Sequence, residues 1–298
     1  MRKPYGLGLI AAAMLIVMSS DSLAGGAWVP EPGHGWFSVG FNRKSGDRRL
    51  DADGSEFIPG RGRTHDFRYG YFSGEAGLIE KLSVNWTLTY LWGTESFDDP
   101  ADDFSHQGFS DTWVGMRYRL RSGSWPMVAE VNARLPYLYE HNEEWLGLLK
   151  HDFTGLLFTE RATERAGTFA GYGGYTIRQG SPTDQVRLGM SWAVPNTVPG
   201  FERLPFQVTV GLDGFISVGE PSPSEPSDRF GYRPRTPDSE NYFTFNKSTW
   251  VRPFINFSRP IGNTGYGMDV GYGRIGPGDL GRNVHQYNDL YFGVYHSF

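Results

Sequence analysis

The stretch KLSVNWTLTYLWG, residues 81–93, alternates apolar and polar side chains along nearly its whole length. One parity carries the apolar residues Leu82, Val84, Trp86, Leu88, Tyr90 and Trp92. The other parity carries Ser83, Asn85, Thr87 and Thr89. Because successive side chains of a β-strand point to opposite faces, the stretch predicts a strand with one apolar and one polar face. The fold then depends on whether the apolar face meets a protein core or lipid.

The same alternation recurs along the chain and predicts about twelve strands. They are expected at residues 35–44, 65–74, 81–93, 110–120, 127–135, 152–160, 167–178, 184–194, 205–217, 244–259, 264–274 and 286–298. The 40 glycines and the 15% share of aromatic residues suit strands joined by tight turns. The pattern therefore favours an all-β protein.

The connections between the predicted strands alternate in length. Long polar segments occupy residues 45–64, 94–108, 136–150, 218–242 and 275–285. Short turns lie near residues 77–81, 121–125, 161–166 and 260–263; the link after the seventh strand is also short, and residues 195–204 form a medium link. Long loops at one rim, short turns at the other and an even strand count are typical of bacterial outer-membrane barrels. The sequence therefore predicts a transmembrane up-and-down antiparallel β-barrel over residues 25–298.

The N-terminus has the layout of a secretory signal peptide. Arg2 and Lys3 precede an apolar run over residues 5–18, and small residues follow at Ser22 and Ala24, the positions that signal peptidase reads. Cleavage is predicted after Ala24, so residues 1–24 are excluded from the fold. The run is too short for a transmembrane helix, which needs about 20 apolar residues.

Composition narrows the classes of function. Removing Arg2, Lys3 and Asp21 with the signal peptide changes the formal net charge from −5 to −6. Such a mildly acidic exported chain is a poor candidate for nucleic-acid binding, which needs a basic surface. The chain has no cysteine, so no disulfide framework or thiolate zinc site is available. No metal or cofactor is expected.

The aromatic residues decide which face of the strands meets lipid. A water-soluble sandwich would have to bury Trp86, Trp92 and Trp192 and find partners for their polar tips. In a barrel the same tips lie at the bilayer interface as an aromatic belt. The apolar face is therefore predicted to point outward.

The inward face then carries the candidate pore-lining residues. They are Arg68, Asp111, Arg117, Arg119, Glu130, Arg134 and Arg187. Arg68 is included because Phe67, Tyr69 and Tyr71 are assigned to the lipid face of their strand. Two interpretations stay open: ion pairs that plug the lumen, or a cationic stripe that selects anionic or aromatic solutes. Arg117 and Arg119 are two residues apart and are expected to project to the same side.

The last residues, DLYFGVYHSF at positions 289–298, alternate up to a terminal Phe298. Exported barrels of Gram-negative bacteria commonly end in such a strand, which their assembly machinery reads. Here His296 stands where an aromatic or aliphatic residue is more usual. Phe298 is therefore the predicted barrel-assembly signal.

Several longer phrases resemble one family. They are LDADGSEFIPG at residues 50–60, YFSGEAGLIEKLSVNWTLTYLW at 71–92, GFSDTWVGMRYRL at 108–120 and LGRNVHQYNDLYFGVYHSF at 280–298. They are similar to motifs of the outer-membrane transporter-like family named for the meta-cleavage (MetA) pathway of phenol degradation. The matching features are an acidic-Gly loop at residues 51–54, an E-x-G-L turn at 75–78, an aspartate at Asp111 and a G-x-N at 281–283. Ala76 stands where that family usually has Tyr. The resemblance implies a barrel that moves small, often aromatic or hydrophobic, compounds.

Two loops and a few polar residues suggest other activities. Residues 94–104 hold five carboxylates, which indicate a solvated loop or a cation site that bridges lipopolysaccharide. Residues 219–237 are rich in Pro and Ser and could form a mobile or folded-in extracellular segment. A lipid hydrolase would need a Ser–His pair, for which Ser105, His106 and His151 are conceivable, but no G-x-S-x-G elbow occurs.

The sequence thus predicts a non-enzymatic outer-membrane channel for passive movement of small solutes. The alternative is a largely plugged structural or adhesion barrel that acts through its loops. The expected partners are outer-membrane lipids and lipopolysaccharide, the barrel-assembly machinery and a small-molecule solute.

Overall fold

A computed structural model describes residues 26–50, 55–57, 64–96, 98–110, 112–135, 151–163, 165–178, 183–195, 197–198, 200–201, 204–219, 249–277, 281–282 and 284–298. The strands are β1 Gly35–Leu50, β2 Glu56–Phe57, β3 Thr64–Ile79, β4 Leu82–Ser96, β5 Phe104–Phe109, β6 Thr112–Arg121, β7 Met127–Leu135, β8 Asp152–Thr163, β9 Gly167–Arg178, β10 Asp184–Ala193, β11 Gln207–Val218, β12 Thr249–Pro260, β13 Tyr266–Ile275, β14 Gly281–Arg282 and β15 Val284–Ser297. A 3-10 turn at Pro100–Asp102 precedes β5. No helix in the described part of the chain is long and apolar enough to cross a bilayer.

Twelve of these strands close into an antiparallel barrel. Each pairs with its neighbour along the chain, and the last, β15, returns to pair with β1 from Trp36↔Ser297 to Leu50↔Val284. The short strands β2, β5 and β14 pair with parts of β1, β4 and β12. Closure satisfies the backbone hydrogen bonds between the strands without leaving an edge, which is the condition for a sheet in hydrocarbon. The predicted twelve-stranded barrel is confirmed.

The connections separate the two ends of the barrel. One end, here named the short-turn rim, holds residues 80–81, 122–126, 164–166 and 261–265, together with the medium link at 194–206. The opposite ends of the same strands define the other end of the barrel, the long-loop rim. The predicted signal peptide, the loop at 136–150, the acidic-Gly loop at 51–54, residues 220–237 and Asp111 lie outside the described residues.

The two faces of the wall have opposite chemistry. In β4 the polar Ser83 and Thr87 are buried inside the barrel, whereas Trp92 is 43% exposed on the outside. The same inversion holds in β13, where Asp269 is buried and Val270 is exposed. A belt of exposed apolar side chains that surrounds the whole molecule suits hydrocarbon and not water. The apolar face of residues 81–93 points outward, as predicted.

Aromatic side chains lie on the outer face toward both rims. Near the long-loop rim the Tyr175 hydroxyl donates to Asp184 Oδ2 at 2.8 Å, and the Tyr272 hydroxyl donates to Asn288 Oδ1 at 2.8 Å. Near the short-turn rim, Trp192 Nε1 donates to the Ala166 carbonyl at 2.7 Å. Amphipathic rings in this arrangement match the interfacial belts of a bilayer.

The C-terminal residue closes the barrel at the short-turn rim. Phe298 N donates to the Gly35 carbonyl and Gly35 N donates to the Phe298 carbonyl, both at 3.0 Å. Next to it, the His296 ring stacks on Tyr266 with ring centroids 4.2 Å apart. His296 therefore makes the ring-stacking contact that an aromatic residue would make at this position.

One strand has the opposite facing from that predicted. The Tyr71 ring lies over Gly40, since a Cβ there would be 2.2 Å from Tyr71 Cζ. Gly40 shares the inner face of β1 with the buried Ser38 and Asn42, so the odd residues of β3 point inward. The prediction for Arg68 is therefore wrong: its side chain is 54% exposed on the outer face, where Nη2 lies 2.9 Å from Asp66 Oδ2. Apolar residues occupy both parities of β3, so alternation alone does not determine which side chains point inward. The pairing of Tyr71 with Gly40 determines it.

The lipid-facing wall gives the first testable prediction. Leu188 is the fifth of ten residues in β10 and lies exposed on the outer face. We expect Leu188→Arg to lower the free energy of unfolding by about 2–4 kcal/mol, the cost of a cation near the bilayer midplane. Urea titration of the barrel folded into lipid vesicles measures this cost.

The matched control is Leu120→Arg, which makes the same change one residue before the end of β6 at the short-turn rim. We expect a cost of about 0–1 kcal/mol there, because the guanidinium reaches the interface. Equal losses at both positions would contradict a membrane-facing wall.

Candidate functional site

The lumenal face of β3, β6 and β7 holds a buried ion network, here named the Arg117 network. Arg117 Nη1 donates to Glu75 Oε2 at 2.9 Å, and Arg117 Nε lies 2.9 Å from Glu130 Oε2. All three side chains are almost completely buried. Antiparallel register brings them together, because Arg117 stands directly opposite Glu130 across the β6–β7 ladder.

Neighbouring groups complete the hydrogen bonding of the two carboxylates. Ser83 Oγ donates to Glu75 Oε1, and Trp36 Nε1 donates to Glu75 Oε2 at 3.4 Å. Asn132 Nδ2 donates to Glu130 Oε1. A buried ion pair is tolerated only when its remaining lone pairs and protons find such partners. The network is therefore a fixed part of the wall rather than a loose set of charges.

An N-terminal segment lies inside the lumen on this network. Residues 26–30, here named the strap, precede β1 and are buried except for the partly exposed Trp28. Arg117 Nη2 donates to the Gly26 carbonyl, Arg119 Nη2 donates to the Val29 carbonyl at 2.6 Å, and Ala27 N donates to Glu160 Oε2 at 3.1 Å. The strap thus runs across the inner faces of β6 and β8 in the half of the barrel nearer the short-turn rim.

Apolar contacts fix the strap further. Ala27 and Val29 pack in a buried cluster with Val128, Leu156 and Phe158, all from the inner face of the wall. On its other side Trp28 packs against Trp36 and Tyr295. The short-turn half of the lumen is therefore occupied by a combination of apolar and ionic contacts.

The wall across the lumen carries a second set, the Arg252 network. Arg252 Nε and Nη2 donate to the two carboxylate oxygens of Asp213 at 2.9 and 2.6 Å, a two-point geometry that suits a guanidinium. Arg252 Nη1 donates to Asp289 Oδ2, and Asn42 Nδ2 donates to Asp289 Oδ1. These contacts link β11, β12, β15 and β1 around the point where the barrel closes.

A third set lies nearer the long-loop rim. Arg134 Nη2 forms an ion pair with Asp152 Oδ2, and Arg178 Nε lies 3.7 Å from the same oxygen. Below them the hydroxyls of Thr154 and Thr176 are 2.9 Å apart. Two guanidiniums of the described residues therefore share this one carboxylate.

Aromatic rings surround the long-loop half of the lumen. This aromatic collar consists of Phe67, Tyr69, Trp113, Phe215, Trp250 and Tyr287. Three cations stand over its rings: Lys44 Nζ is 5.6 Å from the Tyr69 centroid, Arg134 Cζ is 5.3 Å from Trp113 and Arg187 Cζ is 5.9 Å from Phe215. These distances are within the range of cation–π attraction. The collar therefore presents π-faces and positive charge to the same space.

The structure brings only some of the predicted site residues together. Arg117 and Glu130 form an ion pair, and Arg119 joins them through the strap. Arg134 and Arg187 stand instead over rings of the aromatic collar. Arg68 lies on the outer face, and Asp111 is outside the described residues.

Sequence reasoning missed several members of the site. They are the strap, Glu160, Arg252 and its partner Asp289. Arg252 on β12 reaches Asp289 on β15 across the intervening strand β13, and this contact between unpaired strands leaves no signal in either strand alone. The strap does leave one, since Ala27, Trp28 and Val29 are apolar at a place where a free N-terminal tail would be polar.

The short strand β2 contributes an ion pair at the long-loop side of the barrel. Arg48 Nη1 donates to Glu56 on β2, and this hydrogen bond lowers the pKa of the Glu56 carboxyl from its ordinary value.

Within the described ranges, no group of three or more His, Cys, Asp and Glu side chains is placed to hold a metal ion.

Comparison with solved structures supports the fold. The COG4313 outer-membrane channel from Pseudomonas putida F1 superposes with a TM-score of 0.64 at 12% identity, over 91% of this chain and 97% of that one. The translocator domain of the autotransporter NalP from Neisseria meningitidis has a TM-score of 0.48 at 11% identity, over 90% of each chain. The NanC porin has a TM-score of 0.48 at 8% identity, over 88% of this chain and 100% of that one. At such identities the similarity to the COG4313 channel shows a shared barrel fold. No family model matches the chain, and no curated protein matches it either.

The Arg117 network gives the second prediction. Arg117→Met keeps much of the side-chain volume but leaves Glu75 and Glu130 buried without their cation. We expect the free energy of unfolding to fall by about 3–5 kcal/mol, the usual cost of breaking one side of a buried ion pair. Urea titration in lipid vesicles is the measurement.

Two variants control this prediction. Arg43→Met removes an exposed guanidinium that lies 2.9 Å from Asp66 and is expected to cost no more than about 1 kcal/mol. Adding Glu75→Gln and Glu130→Gln to Arg117→Met removes the orphaned charges and is expected to recover most of the loss. A loss that the two added substitutions leave unchanged would show that Arg117 acts through packing alone.

Proposed function

We propose that this chain is an outer-membrane channel through which small solutes diffuse passively. The closed barrel, its apolar outer face and its polar lumen support this assignment, because each is required of a membrane pore wall. The predicted signal peptide and the Phe298 terminus would direct the chain to the outer membrane. In that orientation the short-turn rim faces the periplasm and the long-loop rim faces the exterior.

The aromatic collar is the observation that carries the choice of solute. Guanidinium and ammonium groups attract anions, and exposed π-faces stack on planar rings. A solute that enters from the long-loop rim meets both at once, at Lys44, Arg134 and Arg187. We therefore propose small aromatic anions as the preferred class, in agreement with the compounds that the sequence resemblance implies.

A second candidate function follows from a different observation. Arg117 and Arg252 each bind two carboxylates, and the strap occupies the lumen beside the first of them. Such pairing is expected of a plugged structural or adhesion barrel as well as of a closed channel. Conductance separates the two, since a plugged barrel passes no ions under any condition.

A lipid hydrolase has less support in the described residues. Ser105 lies on β5 opposite Thr94, whereas His151 Nδ1 lies 3.4 Å from the Arg134 carbonyl between β7 and β8. A serine nucleophile needs its histidine within hydrogen-bond reach. We therefore propose the channel rather than the enzyme.

Ion selectivity tests the channel proposal. We expect the purified protein in planar bilayers to show unit conductances that favour anions in a salt gradient. Arg187→Glu is expected to shift the reversal potential toward cation preference, because it places an acid over Phe215 on the lumenal face. Arg68→Glu makes the same charge change on the outer face and is the matched control, with no shift expected.

An absence of unit conductances from the wild-type protein and from variants without the strap would refute the channel. Equal shifts from Arg187→Glu and Arg68→Glu would remove Arg187 from the ion path.

Solute flux tests the proposed preference for aromatic rings. Benzoate and cyclohexanecarboxylate carry the same charge and differ in the π-face of the ring. We expect proteoliposomes to pass benzoate faster, by a factor of about 2–5 for a cation–π and stacking gain of about 0.5–1 kcal/mol. The preference should decrease in Arg187→Gln, which removes one of the three cations that stand over the collar rings. Equal rates for the two solutes would show that the collar selects charge alone.

A further inference from the structure

Two arginines on the outer face of the wall stand directly opposite each other. Arg43 on β1 and Arg68 on β3 are partners across the β1–β3 ladder, with side chains 49% and 54% exposed. Asp66 binds both: it accepts from Arg43 Nε and Nη2 at 2.9 and 3.1 Å and from Arg68 Nη2 at 2.9 Å. The remaining N–H groups of the two guanidiniums make no hydrogen bond to a described residue. Like charges directly opposite in a sheet repel, so an anion that binds these donors stabilises the pair.

The register places the two arginines at the level of the bilayer interface. One row of outward side chains crosses five paired strands and consists of Tyr272, Leu290, Arg43, Arg68 and Trp92. Tyr and Trp prefer the membrane–water interface, and they stand at the two ends of this row. The next outward row toward the short-turn rim belongs to the apolar belt and consists of Val270, Phe292, Phe41, Gly70 and Tyr90. The guanidiniums therefore lie where the lipid headgroups begin.

The next outward row toward the loops is polar and adds a third guanidinium. It consists of Arg274, Asn288, Ser45, Asp66 and Thr94 on the same five strands. Arg274 and Asn288 are both exposed. Neighbouring strands are about 4.8 Å apart, so Arg274 on β13 and Arg68 on β3 frame a surface about 14 Å wide. This surface, defined by Arg43, Arg68 and Arg274, is here named the arginine patch.

The arginine patch is confined to one side of the barrel. Among the described residues, no Lys or Arg stands on the outer face of the long-loop half of β4 or of β6 to β12. That face instead carries exposed apolar residues such as Phe153, Ile177 and Val218. A general attraction of the rim to anionic headgroups would distribute cations around the circumference. Their concentration on a few neighbouring strands therefore indicates a defined binding site.

We propose that the arginine patch binds the phosphate groups of a lipopolysaccharide molecule in the outer leaflet of the membrane. A guanidinium donates two parallel hydrogen bonds to a phosphate and stays charged at every physiological pH. The acyl chains of the same lipid lie on the apolar row below, against Phe41 and Phe292. This inference rests on the orientation given with the proposed function, in which the long-loop rim faces the exterior, because lipopolysaccharide occupies the outer leaflet.

Lipid binding to the purified barrel in detergent tests the site. The probe is lipid A that carries both phosphates, and its matched control is lipid A with the same acyl chains and no phosphate. Native mass spectrometry over a titration gives the dissociation constant of each lipid. We expect the phosphorylated lipid to bind about tenfold or more tightly, because charge-assisted hydrogen bonds are lost with the phosphates. Equal binding of the two lipids would overturn the proposal.

A pair of double variants locates the binding. Arg43→Gln with Arg68→Gln is expected to weaken the binding of phosphorylated lipid A about tenfold, and the barrel should stay folded because exposed ion pairs contribute little to stability. The matched control, Arg161→Gln with Arg259→Gln, removes two exposed guanidiniums near the short-turn rim and should bind like the wild type. Urea titration of each variant in lipid vesicles checks its folding.

Asp66→Asn separates a phosphate site from a merely structural ion pair. It removes the carboxylate that competes with phosphate for the two guanidiniums, so lipid A should bind at least as tightly as to the wild type. A loss as large as that of the Arg43→Gln and Arg68→Gln double variant would show that the two arginines act only through Asp66, and would overturn the site.

The other outcomes are distinguishable. Phosphatidylglycerol that binds as tightly as lipid A, and is lost equally from the Arg43→Gln and Arg68→Gln variant, would show a general headgroup site and refute the choice of lipopolysaccharide. Loss of lipid A from the Arg161→Gln and Arg259→Gln variant alone would refute the patch and the orientation together. Unit conductances without selective lipid A binding would refute the site and keep the channel. Selective binding without conductances would keep the site and refute the channel.

Discussion

The structure depends on hydrocarbon being the solvent for one face of every barrel strand. A sheet in that solvent has no water to satisfy its backbone, so it must close on itself, and β1 pairs with β15 to do so. The same constraint sends most polar side chains of the wall inward, apart from a few near the rims such as Arg43 and Arg68. The polar face that a soluble protein would expose to water lines the lumen here. The polar residues of this chain are buried because they point into that lumen. Fold and site therefore have one cause.

An inward polar face has to be satisfied inside a narrow space. Arg117 and Arg252 do this on opposite walls, each by binding two carboxylates that come from different strands. Where side chains would collide, glycine and tyrosine alternate: the Tyr71 ring covers Gly40 and the Tyr291 ring covers Gly271. An aromatic ring laid over a strand glycine restores the packing that the glycine lacks. The result is a wall that is rigid near its centre and leaves rings and cations at its long-loop end, where solutes would enter.

The sequence predicts the barrel well because period-two alternation and loop length are local properties. In residues 81–93 the alternation predicts that Trp92 and the other apolar side chains point outward, and in the structure they do. In β3 the local signal fails, because Phe67, Tyr69 and Phe72 place aromatic residues on both parities, and the register against Gly40 decides the facing. The strap lies further beyond prediction. Its partners Arg117 and Glu160 are separated from it by more than 90 residues, and its own five residues have no periodicity. Long-range register and tertiary contact determine the site, whereas local pattern determines the fold.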